Sequence, residues 1–417
     1  MIKYLSTLSI ILISFNGVSQ TEIHELHFAE LIIADSTQNS SNYVEMFVFD
    51  HINSNSISNS FVNDFLYEGH ISEGAKQASY DLEQDKNRMG AYFDYGIMFK
   101  HKMKNDFIYT IRYRDINYRT MGYDSNLLRL ALSGNKMFEN QKIELEDFNF
   151  KERSLQEISL GLEKYVESKK LFIGGAISFL KADYSRSLDI KNASFYTAPD
   201  GQYVDFAADI SLRETGKSGA KIGRFEGMGT SINLYALKEL GKDHILQFAI
   251  TDLGFISTLR TTSLYEKDTS ISIQGSDLLN SSESGTNIAN GIGLEEVFEI
   301  GEQQEKYNYF LPFFIRLNYT YFLDDKWTIL AGLYYRNDEN YVPKLFIKPG
   351  FNFNKQRSRV APLLSYGGFS EFDLGISFYQ KITGDFYFTA DILYLEALLA
   401  PNTTSSQGFN LGVYSKF

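Results

Sequence analysis

The sequence predicts an all-β fold: a closed antiparallel transmembrane β-barrel of about 14 strands, with short N-terminal helical segments. Three observations predict it. Segments of about ten residues alternate between apolar and polar side chains, the period of a strand with lipid on one side and a polar interior on the other. These segments come in pairs joined by short polar turns, whereas the pairs are joined to one another by long loops. Aromatic residues make up 15% of the 417-residue chain, with 28 Tyr and 34 Phe against a single Trp. Strands tolerate such rings well, and lipid interfaces favour Tyr.

The totals narrow the class further. The chain has no cysteine, so it carries no disulfide framework, thiolate metal site or lipid-modified N-terminal Cys. A net charge of −12 disfavours nucleic acid as a partner. Mean hydropathy is −0.24, as expected of a barrel in which only alternate residues meet lipid. Lys3, the apolar run Tyr4 to Phe15 and the small-residue site Gly17-Val18-Ser19 read as a secretory signal. Residues 1–19 are therefore expected to be a signal peptide. Residues 20–89 form an N-terminal segment with the first strand and short helices, and 90–417 supply the rest of the barrel, 20–417 being one domain. Beyond the signal no apolar run is long enough for a transmembrane helix.

Tyr43 to Asp50 is the first expected strand, followed by an Asn/Ser-rich loop from His51 to Ser60. Asn63–Glu68 and Glu73–Gln84 read as short helices, the second with Ser72 as N-cap, placed to fill the lumen or cover its mouth. Six hairpins follow. The first pairs Ala91–Lys100 with Asp106–Asp115, where Phe93, Tyr95, Ile97 and Phe99 alternate with Asp94, Gly96 and Met98. The second pairs Ile158–Tyr165 with Lys170–Asp183, and the third Thr230–Lys238 with Asp243–Leu253. The fourth pairs Phe313–Phe322 with Lys326–Arg336, where Trp327, Ile329, Ala331, Leu333 and Tyr335 share one face. The fifth pairs Leu345–Asn354 with Val360–Tyr366 across a basic turn, and the sixth Glu371–Gln380 with a strand from Phe386. A last strand runs from Phe409 to Phe417. With the strand at Tyr43 this makes 14, an even number that puts both termini on one side of the membrane. Leu127–Leu132, Tyr203–Leu212 and Ser270–Ile273 stay open as loop strands or barrel strands. A β-propeller would also give a series of short strands, but its blades lack the asymmetry of short turns and long loops.

Charged residues at alternate strand positions are the candidates for the lumen: Asp94, Arg112, Arg114, Arg316, Arg336, Lys348, Asp373 and Asp391. A lipid-facing Arg or Lys near the midplane costs about 2–4 kcal/mol, so these side chains are expected to point inward. An ion-pair lattice that fills the interior is weighed ahead of a selectivity lining, because buried charges persist mainly when paired. Phe409, Leu411, Val413 and Phe417 share a face of the last strand, and the terminal Phe resembles the signal read by the outer-membrane barrel assembly machinery. Ser415 departs from that pattern, which usually has an apolar residue there.

No catalytic constellation stands out. His24-Glu-Leu-His27 would place two histidines on one helical face, but no third ligand accompanies them. Neither Gly227-Met-Gly229 nor Gly291-Ile-Gly293 is followed by the Gly-Lys-Ser/Thr of a phosphate loop, and no Gly-x-Ser-x-Gly elbow occurs. No metal, cofactor or enzymatic activity is expected. The Gly254–Leu311 loop is rich in Asp and Glu, a pattern more typical of a solvated surface than of a cation site.

Leu128-Arg-Leu-Ala-Leu-Ser-Gly-Asn-Lys-Met-Phe138, Ile250-Thr-Asp-Leu-Gly-Phe-Ile256, the Phe65 to Gln84 region and the strand spacing resemble an uncharacterised family of outer-membrane β-barrels. That family, a domain of unknown function found largely in Bacteroidota, is similar in shape to FadL-like fatty-acid-transport barrels. It often carries a Trp shortly after the Asp-Leu-Gly-Phe-Ile run, where Ser257-Thr258 stand here. The resemblance implies architecture and a Gram-negative outer-membrane location, with lipid and the assembly machinery as partners. By analogy it implies a pore or carrier for small, partly hydrophobic molecules. A surface scaffold whose long loops bind proteins or glycans is the alternative.

Overall fold

In the computed structural model, residues 42–65, 70–103, 107–145, 148–216, 225–259, 262–274, 302–354 and 357–417 are described. The expected signal peptide, His24, His27 and Gly291–Gly293 lie outside them. The described chain is dominated by strands in one sheet. In chain order these are β1 (Asn42–Ser54), β2 (Asn87–Lys102), β3 (Phe107–Tyr123), β4 (Lys142–Leu145), β5 (Phe148–Val166), β6 (Leu171–Thr197) and β7 (Tyr203–Gly216). Then come β8 (Gly227–Glu239), β9 (His244–Thr258), β10 (Thr262–Gln274), β11 (Glu302–Glu305), β12 (Asn308–Phe310) and β13 (Phe314–Phe322). The series ends with β14 (Trp327–Arg336), β15 (Val342–Phe353), β16 (Ser358–Gly368), β17 (Phe372–Thr383), β18 (Phe386–Ile392) and β19 (Ser406–Lys416). Helices α1 (Asn59–Asn63), α2 (Glu73–Leu82), α3 (Ser125–Ser133) and α4 (Glu396–Leu399) lie in the connections.

The wall runs β1-β2-β3-β5-β6-β8-β9-β13-β14-β15-β16-β17-β18-β19 and returns to β1, a closed antiparallel barrel of 14 strands. Closure is made by β1 and β19, paired from Tyr43↔Lys416 to Asn53↔Ser406. Every hairpin expected from the alternation is present, because lipid on one side and a polar interior on the other leave the period-2 pattern only one register. On the outer face Ile158, Leu160, Leu162, Ile173, Ile177 and Phe179 are exposed. Rings mark both rims of this apolar band. Trp327 lies 4.8 Å from Phe351 and His244 4.8 Å from Tyr321 at the short-turn end, and Tyr366, Phe372 and Phe409 stand exposed towards the long-loop end.

Beyond the long-loop rim the sheet continues. At Tyr184 the partner of β6 changes from β8 to β7, which pairs in turn with β10, while β4 flanks the tip of β6. Tyr203–Leu212 and Ser270–Ile273 thus belong to an extension and not to the barrel wall. Leu127–Leu132 is helical, inside α3: Asp124 accepts the Leu127 N–H at 2.7 Å, and Gly134 ends the helix at φ 78°. A run of Leu, Ala and Arg with no β-branched residue favours that outcome.

Ser72 caps α2, its Oγ accepting the Ala75 N–H at 3.2 Å. The helix stops at Leu82, where Glu83 turns to ψ 145°. Of the expected helix Asn63–Glu68, Asn63 falls within α1, the helical turn continues through Asp64 and Phe65, and residues 66–68 lie outside the described residues. The helices do not fill the lumen. Phe61, Val62 and Ala75 form one cluster with Ile52, Met89, Ala91, Tyr123 and Leu128. The paired register Ile52↔Ala91, next to inward Asn53↔Gly90, puts those wall residues on the outside. An apolar outer face above the lipid must be covered by protein, and the helices supply that cover.

Candidate functional site

The interior is filled in layers. At the short-turn end Tyr43, Met98, Ile108, Phe172, Tyr235, Leu237, Tyr387 and Tyr414, drawn from strands all around the wall, pack into one buried cluster. Tyr387 and Tyr414 stack at 4.7 Å. These residues occupy inward positions of their strands, so the alternation that makes the outside apolar also brings bulky rings together inside.

Charged pairs lie within this seal and above it. Lys100 Nζ meets Glu163 Oε1 at 2.8 Å, and Thr110 and Tyr235 hydroxyls donate to the same carboxylate. Arg112 Nη2 lies 2.9 Å from Glu157 Oε1, and Ser178 Oγ donates to that oxygen at 2.9 Å. Arg114 forks onto Glu157, with Nε at 3.0 Å from Oε2, and its Nη1 lies 3.2 Å from Asp94 Oδ2. Its Nη2 also meets Asp252, which projects from β9 across the interior. Asp252 can do so because it sits at a bulge with φ 61°, where the register of β8 and β9 shifts. Aspartate tolerates that left-handed conformation better than most residues. The Asp252 N–H is held by Asn233 Oδ1 at 2.8 Å.

The next layer is aromatic. Tyr92 on β2 and Phe314 on β13, on opposite sides of the wall, meet edge to face at 6.1 Å. Arg336 on β14 lies between them, its Cζ 5.5 Å from the Tyr92 ring, 4.9 Å from Tyr118, 5.3 Å from Phe314 and 5.8 Å from Phe369. Phe369 belongs to the link between β16 and β17. Gly367 and Gly368, at φ 105° and 85°, turn it inward over Gly90, where a Cβ would collide with its ring. Arg88 Nη2 and Asn53 Oδ1 fix this link through Ser370 O and Ser370 N–H, each at 2.8 Å. Beneath it lies a small cavity of about 30 Å3 lined by Phe49, Tyr92, Phe314, Tyr334, Tyr341 and Tyr394 with Arg336, Lys344, His51 and Asn53.

All eight charged candidates are buried. Asp94, Arg112 and Arg114 come together in the charged layer, whereas Arg336 lines the cavity. Arg316 stacks on Tyr334 at 4.8 Å, Lys348 lies 3.7 Å from Asp391, and Asp373 accepts from Lys344 Nζ at 2.6 Å and Ser370 Oγ at 2.8 Å. The sequence reading missed Lys100, Glu157, Glu163 and Lys344, though each stands at an inward position of a strand that the alternation identifies. It also missed Asp252, whose strand position alternation alone would place outward. On the last strand Phe409 and Phe417 are exposed and Leu411 and Val413 half-buried. Among the described residues no group of three His, Asp or Glu side chains is arranged to hold a metal, and no helix is long and apolar enough to cross a membrane.

These features define a closed barrel of the outer-membrane type whose interior is packed rather than open. By sequence the chain belongs to DUF5723, a family of unknown function whose profile matches residues 36–391. No curated protein matches the sequence. Similar solved structures include a TodX ΔS2S3 mutant described as a monoaromatic hydrocarbon channel, with 8% identity, 91% of each chain covered and a TM-score of 0.47. A Pseudomonas aeruginosa FadL homologue has 8% identity over 90% of each chain at a TM-score of 0.41. The P. putida toluene transporter TodX has 9% identity over 92% of each chain at a TM-score of 0.42.

Proposed function

We propose that the protein resides in the outer membrane of a Gram-negative cell and is a carrier for small, partly hydrophobic molecules, taken up from the long-loop side. The observation that carries this reading is the aromatic cavity beneath the Gly367–Glu371 link, set above a charged layer and an apolar seal. A concave, mostly apolar space with few polar groups is the usual form of a small-molecule site. The packed layers below it argue against a permanently open aqueous pore and for a binding step followed by rearrangement. The buried charges other than Arg336 act in this reading as the lattice that holds the wall in shape around the cavity. Reconstitution tests it. Planar bilayers containing the protein should show no steady ohmic conductance, whereas proteoliposomes should take up a small aromatic solute saturably. A large unselective conductance would refute the carrier reading.

A second reading, a scaffold that binds proteins or glycans at the cell surface, draws on the extension of β6, β7 and β10 beyond the barrel. Co-purification of a stable partner, lost on removal of the β6–β7 tip, would favour it.

A further inference from the structure

We infer that the cavity is a site for a small organic anion, a single carboxylate on an aromatic or short apolar body, gripped by the Nε–Nη2 edge of Arg336. The inference rests on the carrier reading and names the chemistry of its cargo.

Arg336 is 2% exposed, yet its Nε and Nη2 have no hydrogen-bond partner. One layer below, Arg112 and Arg114 are both held by carboxylates. Among the described residues no carboxylate plays that part for Arg336. Its four aromatic neighbours do not replace one. A ring face attracts the charge of the guanidinium but accepts no hydrogen bond from N–H groups directed along its plane. Buried charged donors are ordinarily paired, so an orphaned pair on one side chain marks a place for a missing acceptor.

Which acceptor fits follows from the geometry. Nε–H and the adjacent Nη2–H lie parallel on one edge of the guanidinium, the fork that the two oxygens of a carboxylate match. The other cation on the cavity wall, Lys344, is already neutralised by Asp373 at 2.6 Å. The site therefore has one uncompensated charge, which suits a monoanion better than a dianion. Tyr334, Tyr341 and Tyr394 complete the walls, and they favour a flat or apolar body behind the charged head.

The test is calorimetric titration of the full chain in lipid nanodiscs with benzoate and with toluene, a neutral molecule of similar shape. Wild type should bind benzoate, and R336M should weaken it by about tenfold or more, the loss expected of a charged bidentate contact, while changing toluene binding little. R336K, which keeps the charge without the fork, should fall between. Heat-modifiable migration confirms folding of each variant, and R336K decides if R336M fails to fold. Equal benzoate affinity in wild type and either variant would overturn the assignment. Toluene binding without benzoate binding would overturn it too, and would leave the carrier reading standing. Binding of neither would remove both.

Discussion

Arg114 on β3 and Asp252 on β9 form an ion pair across the barrel interior, with three strands of the wall between them. The pair is a strut: it fixes the distance between two sides of a cylinder whose backbone hydrogen bonds run only between neighbours. Because Glu157 and Asp94 share the same guanidinium, removing it leaves three buried carboxylates without their common partner. Arg114→Met should therefore destabilise the barrel by about 3–5 kcal/mol, the usual effect of breaking a buried pair from one side. Asp252→Asn, which keeps the bulge and a polar contact, should cost less. Unfolding in urea followed by heat-modifiable migration measures both, and equal stability of Arg114→Met and wild type would contradict the strut.

The contact between Gly90 and Phe369 predicts a way to open the cavity. Gly90→Ala puts a methyl group where the Phe369 ring lies, and overpacking of this kind costs about 1–3 kcal/mol. The ring is the more movable partner, so the Gly367–Glu371 link should lift. The chain has no cysteine, which makes Ser370→Cys a clean reporter. Maleimide labelling at that position should rise by about 5- to 160-fold when Gly90→Ala is added, following the same energy range. An unchanged rate would mean that the strain is absorbed elsewhere.

Glu396, at the start of α4 beyond the end of β18, predicts a pH effect. Burial pushes its carboxyl up to about 7, with Asp373 adding to the rise, although the Leu374 N–H donates to it at 2.9 Å and Lys344 opposes the shift. A raised carboxyl pKa means that the folded state prefers the protonated form. Its contribution is therefore fully present below the unfolded value of 4.5 and is lost as pH rises through about 7. Hydrogen exchange in residues 395–405 should be slower at pH 5.5 than at pH 8.5, after correction for the intrinsic pH dependence of exchange. Glu396→Gln should remove that difference. A difference that survives the substitution would assign the effect to another group.

Phe417 and Phe378 separate assembly from stability. The last backbone unit closes the barrel seam, with Asn42 N–H donating to Phe417 O at 3.0 Å and Phe417 N–H to Asn42 O at 3.1 Å, while the Phe417 ring is exposed. Under the proposal that this ring is read by the assembly machinery, deleting Phe417 should sharply reduce the amount of folded protein in the outer membrane. Phe378→Ala, at an outward position of β17, should lower stability by about 1.5–3 kcal/mol and leave delivery intact. Quantitative blotting of outer-membrane fractions checks both. Wild-type levels of the Phe417 deletion would remove the signal role without touching the fold.

The wall was legible in the sequence because lipid enforces alternation. A strand such as β14 has no freedom to place Trp327, Ile329 and Leu333 anywhere but outside. Above the membrane that constraint ends. The upper half of β6, with Ser185, Ser187 and Asp189 beside Leu188 and Ile190, has no lipid to sort its faces and reads as loop. The helical character of Glu73–Leu82 was equally plain, whereas the wall face it covers depends on Ile52 and Met89, neither of which marks itself as covered. Asp252 was hidden for a different reason: one left-handed residue reverses which face its side chain meets. Pairing across the interior, as of Arg336 with Tyr92 and Tyr118, joins segments more than 200 residues apart in the sequence, and no local pattern encodes it.

The seam between β1 and β19 has a consequence in time. Its two strands stand at opposite ends of the described chain, so every other wall strand can pair with its neighbours before this one contact exists. Until β19 arrives, the nascent sheet has two unpaired edges, each a row of free amides and carbonyls open to any passing strand. Loop-closure entropy makes such a distant contact the slowest to form. The protein thus has a window of vulnerability that ends only when β19 pairs with β1, and a copy lacking β19 would remain in that window indefinitely, a sheet that can associate with others but never close on itself.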